Sequence, residues 1–196
     1  MNEDKQFPPD INLGNSLEFP EGFDVCEQLR EITKDLTFNR VIDFGCGVGR
    51  LCQSFKPENY LGFDIDEEAI KNAKERFSSY SFEKVPDGPV GADLYLAYSV
   101  FNYLSDRKLH EVLKNIRCKW LVLGEMLGKE WKSHDLSAPY YRDIEDYVKL
   151  LRSHDLILQK HVRKPYKKYS ESNCYKGNNT DISFLVFKKC LRNPLH

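Results

Sequence analysis

A short apolar run that leads into a glycine loop constrains the fold of this chain more than any other feature. Residues 40–44 read as a buried strand, and residues 45–49, GCGVG, follow it directly. Glycine lets the backbone take positive φ and approach a ligand closely. In an open parallel sheet, ligands bind outside the carboxyl ends of the strands, where this loop would lie. The pattern therefore predicts a ligand-binding α/β fold.

Strand and helix patterns alternate through the first 155 residues. The predicted strands cover residues 40–44, 60–64, 81–85, 94–98, 120–123, 156–162 and 182–188. The predicted helices have apolar residues at spacings of three and four, and they begin near Val25, Asp66, Ser105 and Asp143. This order predicts a doubly wound, mostly parallel seven-stranded sheet with helices on both faces. The last two strands have no helix between them, so the final strand is predicted to be antiparallel.

The length and composition fit one globular domain. The chain has 196 residues, of which 41% are hydrophobic and 30% charged. We expect a flexible arm over residues 1–20, which are rich in Pro and Asn, and a single domain over residues 21–196. No apolar run is long enough to span a membrane, and no signal pattern opens the chain, so the expected location is cytoplasmic.

The glycine loop differs from the two common phosphate-binding loops. A dinucleotide fingerprint would need glycine at position 50, which is Arg50, and the Gly-Lys-Ser/Thr ending of a P-loop is absent. Asp64 ends the second strand, where a carboxylate can accept hydrogen bonds from both hydroxyls of a ribose. The alternative is a structural turn with an aspartate that caps the next helix. The pair predicts a smaller, zwitterionic ligand that contains a ribose.

Three stretches resemble the class I (Rossmann-like) S-adenosylmethionine-dependent methyltransferases. They are residues 41–50, VIDFGCGVGR, residues 61–66, LGFDID, and residues 93–104, DLYLAYSVFNYL. The resemblance implies that S-adenosylmethionine is the cofactor. It also implies a set of cofactor-binding residues: Asp43, Gly45, Cys46, Gly47, Asp64, Ile65, Asp87, Tyr98 and Ser99.

The same resemblance gives these residues separate roles. The glycine loop would pack against the methionine part of the cofactor, with Asp43 orienting the loop. Asp64 would bind the ribose hydroxyls, and Ile65 would pack on the adenine. Tyr98 and Ser99 would line the sulfonium end.

The acid that often lies near the adenine amino group in this family is harder to place. Asp87 is the nearest candidate, between Pro86 and Gly88. The third and fourth strands are so close in sequence that the usual helix between them is reduced to a turn.

The segment after the fifth strand, residues 124–135, contains the candidates for catalysis. His134 is a candidate general base, and Glu125 or Asp135 could orient it or bind the acceptor. The alternative is a loop histidine without a role, because methyl transfer needs a base only when the acceptor must lose a proton. No metal site is predicted, since Glu125 is a single acid and metal ions need more oxygen ligands. The six cysteines contain no CxxC pair that would indicate zinc.

Charge is unevenly distributed along the chain. Residues 151–196 have ten Lys and Arg against three acidic residues, a net charge of +7, whereas residues 1–150 have a net charge of −8. The asymmetry indicates an acidic substrate or partner near the C-terminal part. It could equally reflect an edge strand that lysines protect against aggregation. Five residues are predicted to bind the substrate: Tyr141, Lys164, Lys167, Lys168 and Tyr169.

Three functional hypotheses follow. The first is methyl transfer to the oxygen or nitrogen of a small metabolite or sugar derivative that carries a phosphate or carboxylate. The second is methylation of RNA or protein, with lysines on the RNA backbone and tyrosines stacked on bases. The third is a module that binds S-adenosylmethionine without turnover. The net charge of −1 disfavours nucleic acid as a partner, and neither a membrane partner nor an oligomeric state is indicated.

Overall fold

Seven strands of the computed structural model form one sheet, and the structure describes residues 24–85, 90–127, 140–165 and 181–190. The predicted arm over residues 1–20 lies outside this part of the chain. The strands are β1 (Val41–Phe44), β2 (Tyr60–Asp64), β3 (Ser81–Lys84), β4 (Val90–Gly91), β5 (Leu94–Tyr98), β6 (Ile116–Arg117), β7 (Trp120–Met126), β8 (Leu156–Pro165) and β9 (Asp181–Lys189). The α-helices in the described ranges are α1 (Val25–Thr33), α2 (Glu67–Arg76), α3 (Asp106–Asn115) and α4 (Ile144–Arg152).

The sheet has the strand order β3-β2-β1-β5-β7-β9-β8, and the short β4 and β6 pair separately. β3, β2, β1, β5 and β7 are parallel to one another. β9 is antiparallel to both β7 and β8. The predicted fold class, a mostly parallel seven-stranded sheet with an antiparallel last strand, is confirmed.

Side chains point alternately to the two faces of the sheet along each strand, and a hydrophobic core lies on each face. In β5, Leu94 and Leu96 belong to one core, while Tyr95 and Ala97 belong to the other. The first core contains residues of α1 and α2, and the second contains residues of α3 and α4. A strand buried on both faces must be apolar throughout, which explains the continuous apolar runs in the sequence.

Polar side chains fix the beginnings of the helices. Asp66 accepts hydrogen bonds from the backbone N–H groups of Glu68 and Ala69, and Ser105 accepts one from Lys108. These residues cap the helices that the sequence predicted to start there. Acceptors of this kind satisfy donors that have no partner inside the helix.

The structure differs from the sequence predictions mainly in the length of the elements. β7 continues to Met126, because β9 pairs with each of its seven residues. Between β1 and β2, the chain forms two 3₁₀ turns, Cys52–Ser54 and Pro57–Asn59. Between β3 and β5, the described residues contain only the two-residue β4. Pairing partners that lie far away in sequence decide these lengths.

Candidate active site

The carboxyl ends of the parallel strands bring their loops to one edge of the sheet. β1 ends at Phe44, β2 at Asp64, β5 at Tyr98 and β7 at Met126. β8 runs in the same direction as β7, since both are antiparallel to β9. The end of β8, with Lys164, therefore reaches the same edge as the glycine loop. Ligands of open α/β sheets bind at this edge.

The glycine loop is tied to the end of β2. Gly45, Gly47 and Gly49 have φ values of 77°, 53° and 82°. The backbone N–H groups of Gly45 and Cys46 both donate to the carbonyl of Phe63, at 2.7 and 2.9 Å. The two features that predicted a ligand, the loop and the strand that ends in Asp64, are thus fixed to each other.

Gly45 leaves no room for a side chain. A Cβ atom built on this residue would lie 2.4 Å from Cγ2 of Val100, in the loop after β5. Its positive φ also disfavours any residue with a Cβ atom. The absence of a side chain therefore allows the loops after β1 and β5 to lie against each other.

Two backbone amides hold the carboxylate of Asp64. Oδ2 accepts a hydrogen bond from the N–H of Gly47 at 2.8 Å, and Oδ1 accepts one from the N–H of Asp66 at 3.0 Å. Each carboxylate oxygen has two lone pairs, so the group can still accept hydrogen bonds from a diol. The next residue, Ile65, is 57% exposed. A fixed acceptor beside an exposed apolar side chain suits a nucleoside, which has a diol and a flat ring.

Asp43 lies beneath the glycine loop and is buried. The hydroxyl of Tyr60 donates to its Oδ2 at 2.7 Å, and its Oδ1 has no hydrogen-bond partner among the described residues. Burial raises the pKa of Asp43 to about 7, although the hydrogen bond from Tyr60 lowers it. This position fits the predicted role of orienting the loop, and the carboxyl group does not lie on its open side.

The side chain of Cys46 also faces the interior. Its Sγ lies 2.8 Å from the point where a Cβ on Gly62 would be, so the thiol fills the space beneath the loop. Burial, together with the charges of Asp43 and Asp64, raises the pKa of the thiol. The thiol therefore stays protonated and belongs to the core, while cofactor binding by Cys46 stays a prediction.

The two residues at the end of β5 have different surroundings. Tyr98 is buried, and its ring packs on Phe184, with centroids 6.1 Å apart, and against Gly124. This differs from the expectation that Tyr98 lines the sulfonium end, because the ring belongs to the core. Ser99 is half-buried with a φ of 54°, and its N–H donates to the carbonyl of Gly124 at 2.8 Å.

Glu125, a predicted catalytic candidate, has no exposed surface. Its Oε1 accepts hydrogen bonds from the backbone N–H groups of Val100 and Phe101, at 3.1 and 2.8 Å. Burial raises the pKa of Glu125 to about 8, while these amides and the charge of Arg142 lower it. The structure thus corrects the catalytic expectation, since a carboxyl group enclosed in loop packing does not face an acceptor.

Arg142 has a role that the sequence did not suggest. This buried side chain donates to the carbonyls of Phe101 and Leu104 at 2.8 and 2.7 Å. Its Nε and Nη2 atoms donate to Oδ1 of Asp106 at 2.9 and 2.6 Å. These partners lie 36 or more residues away in sequence, so no local pattern could have revealed them.

The neighbouring tyrosines differ in exposure. Tyr141, predicted to contact the acceptor, is buried, whereas Tyr140 is 40% exposed. The N–H of Tyr140 donates to the carbonyl of Asn102 at 3.0 Å, which places this residue beside the loop after β5. Of these two described rings, that of Tyr140 is therefore the one that solvent reaches.

Among the predicted basic residues, the structure describes Lys164. It is half-buried near the end of β8. The charges of Lys160 and Lys164 contribute, after Lys34, to the lowered pKa of Glu31, so this face of β8 is turned toward α1. The other predicted site residues lie outside the described ranges: Asp87, His134, Lys167, Lys168 and Tyr169.

Within the described residues, no group of three or more His, Cys, Asp or Glu side chains could hold a metal ion. In the same part of the chain, no helix is long and apolar enough to cross a membrane.

Residues 42–123 match a family model described as a methyltransferase domain. The matched segment contains the glycine loop, Asp64 and Ser99. No curated protein sequence matches the chain significantly.

Several solved structures share the fold. Magnesium protoporphyrin IX methyltransferase from Synechocystis PCC 6803, solved with bound SAH, has a TM-score of 0.63 at 13% identity, over 84% of this chain and 82% of that chain. An S-adenosylmethionine-dependent methyltransferase from Methanosarcina mazei has a TM-score of 0.64 at 15% identity, over 82% of this chain and 98% of that chain. A TehB-like methyltransferase from Corynebacterium glutamicum has a TM-score of 0.58 at 19% identity, over 86% and 90%. At these identities the likeness shows a common fold.

The strand order and the glycine loop define a class I methyltransferase fold. Residues 42–123 therefore match a methyltransferase domain, and the fold that contains them supports the resemblance to S-adenosylmethionine-dependent methyltransferases seen in the sequence.

Proposed function

We propose that the protein transfers a methyl group from S-adenosylmethionine to the oxygen or nitrogen of a small, anionic metabolite or sugar derivative. The observation that carries this proposal is the position of Lys164. It is half-buried near the end of β8, at the same edge of the sheet as the glycine loop. An ammonium group in such a place can bind a phosphate or carboxylate in charge-assisted hydrogen bonds.

The described residues fit the cofactor. Gly45, Gly47 and Gly49 have positive φ, and this loop would receive the methionine part against a backbone that a ligand can approach closely. Asp64 would bind the ribose hydroxyls, and the exposed Ile65 would pack on the adenine. Ser99 would lie at the sulfonium end, and Asp87 stays the proposed partner of the adenine amino group.

For methyl transfer, the protein mainly has to align the acceptor with the methyl group. When bound, S-adenosylmethionine supplies a methyl group on a sulfonium, which is a good leaving group. The loops after β1 and β5 would hold the acceptor in line and exclude water. For an acceptor that must lose a proton during the attack, His134 is the proposed general base.

The acceptor would contact positively charged side chains and an aromatic ring. The exposed ring of Tyr140 lies beside Asn102, after β5. Lys167, Lys168 and Tyr169 follow β8 in sequence, and we propose that they extend the anion site of Lys164. The +7 net charge of residues 151–196 favours an anionic acceptor over a neutral one.

Calorimetry with S-adenosylmethionine tests the placement of the cofactor. We expect Asp64→Ala to weaken binding at least about tenfold, because hydrogen bonds to a charged group contribute roughly 1.5–3 kcal/mol each. Glu67→Gln is the matched control, since this exposed neighbour on α2 contacts Lys84 and not the loop. Equal affinities for wild type and Asp64→Ala would contradict the proposed site.

A methyl-transfer screen with phosphorylated and carboxylated metabolites, RNA and protein tests the acceptor class. For an anionic acceptor, we expect Lys164→Ala to raise KM about tenfold, through loss of a charge-assisted hydrogen bond. Lys160→Ala, farther from the edge of the sheet, is the control and should leave KM unchanged. Methylation of RNA with affinity that falls steeply between low and moderate salt would replace the small-molecule proposal.

A further inference from the structure

The loop after β5, residues 99–106, is held by two buried polar side chains from different elements. Glu125 comes from β7, and Arg142 lies just before α4. We call these two residues the loop clamp. They come from positions 17 residues apart, but both bind backbone groups of the same short loop.

Glu125 forms the first half of the clamp. Its Oε1 accepts the N–H groups of Val100 and Phe101 at the start of a single 3₁₀ turn, Phe101–Tyr103. These amides have no partner within the turn, as at the beginning of any helix. Removal of the carboxyl group would leave two donors unsatisfied, and such donors are costly when buried.

Arg142 forms the second half. Its guanidinium donates to the carbonyls of Phe101 and Leu104, and also to Oδ1 of Asp106. The adjacent Tyr140 adds a backbone hydrogen bond to Asn102. The planar array of donors on arginine suits three acceptors at once, and a lysine ammonium cannot reproduce it.

The clamped loop touches the glycine loop directly. Val100 lies so close to Gly45 that a Cβ atom there would be 2.4 Å from its Cγ2. Ser99, the preceding residue, takes a φ of 54°, which is uncommon for a residue with a side chain. Packed surroundings must maintain such a conformation, and Glu125 of the clamp binds the N–H of Val100, the residue that follows Ser99.

We propose that the loop clamp sets the position of Ser99 and Val100 against the methyl-bearing end of S-adenosylmethionine, which makes Glu125 and Arg142 positioning residues for the transfer. This inference rests on the proposed placement of the cofactor. Neither side chain touches the reacting atoms, since both are buried behind the loop. Their effect is transmitted through the backbone of the loop.

The test compares the dissociation constants of S-adenosylmethionine and S-adenosylhomocysteine, which differ in the methyl group and its positive charge. We expect Glu125→Ala and Arg142→Lys to change the ratio of the two constants about fivefold or more, because small misplacements near the reacting group have large effects. Glu125→Gln keeps an acceptor oxygen for the two amides and should leave the ratio within about twofold of wild type. Glu145→Gln, on the exposed side of α4, is the control.

If the clamp has only a structural role, its variants should weaken the binding of both ligands equally and leave the ratio of the two dissociation constants unchanged. That result would overturn the inference. If Glu125→Ala does not fold, the conservative Arg142→Lys carries the test. Failure of this inference can be distinguished from failure of the proposed function. If Asp64→Ala binds S-adenosylmethionine as well as wild type does, the proposed cofactor site is wrong. If Asp64→Ala binds more weakly but the clamp variants keep the wild-type ratio of the two dissociation constants, only the positioning role of the clamp is wrong.

Discussion

The hydroxyl of Tyr60 donates a 2.7 Å hydrogen bond to Oδ2 of Asp43, beneath the glycine loop. Tyr60 begins β2 and Asp43 lies in β1, so the bond joins the two strands that carry the loop and Asp64. Both side chains are buried. A polar contact of this kind is costly to break from one side only, because the remaining group stays buried without a partner.

We therefore expect Tyr60→Phe to lower the free energy of unfolding by about 1–3 kcal/mol. Urea unfolding of the single variants and of Tyr60→Phe combined with Asp43→Ala would measure the coupling between the two side chains. We expect the double variant to lose less stability than the sum of the single losses. Strict additivity would contradict a direct interaction.

The stability that Asp43 and Glu125 contribute should fall as pH rises from about 4 to 8. Burial raises the pKa of Asp43 to about 7 and that of Glu125 to about 8, above their ordinary values of 3.8 and 4.5. The unfolded chain therefore releases these protons first, and each group removes up to about 1.4 kcal/mol per pH unit within its window. The contribution is complete below pH 4 and lost once pH exceeds the folded-state pKa.

Chemical denaturation between pH 4 and 9 would measure this dependence. Asp43→Asn should make the free energy of unfolding depend less on pH up to about pH 7. Glu125→Gln should have the same effect up to about pH 8. The exposed Glu145→Gln serves as the control for charge removal. If either buried variant keeps the wild-type slope, that carboxyl group does not hold its proton in the folded protein.

Gly45→Ala should weaken binding of S-adenosylmethionine and destabilise the fold. The new methyl group would meet Val100, and the φ of 77° is unfavourable for alanine, which costs roughly 1–2 kcal/mol. Adding Val100→Ala should relieve the collision but not the backbone strain, so recovery would be partial. Thermal unfolding and calorimetry would measure both effects, and full recovery would show that the backbone conformation is unimportant.

His134→Ala should reduce turnover about 100-fold with an acceptor that must lose a proton, the lower end of the range for general-base catalysis. The affinity for S-adenosylmethionine should not change. Rates measured across pH 5–9 would show whether an inflection in the wild-type profile disappears in the variant. Unchanged turnover would assign the base to another residue or show that none is needed.

The fold was largely predictable because its main signals are local. Continuous apolar runs marked the buried strands, and Asp66 and Ser105 marked the helix starts that the structure confirms. The lengths of β7 and β8 were not predictable, since pairing with β9 decides them. The direction of the side chain at the end of a strand was equally inaccessible, as the buried Tyr98 shows.

The sequence by itself determined the fold class, the glycine loop and the position of Asp64 after the second strand. These depend on short-range requirements: positive φ, capping and apolar alternation. Only the tertiary structure decided that Glu125 lies inside the protein, that Arg142 holds the loop after β5, and that Tyr140 is exposed in place of Tyr141. Each of these depends on burial and on partners distant in sequence, and the free energy of a polar side chain is set by the groups that surround it after folding.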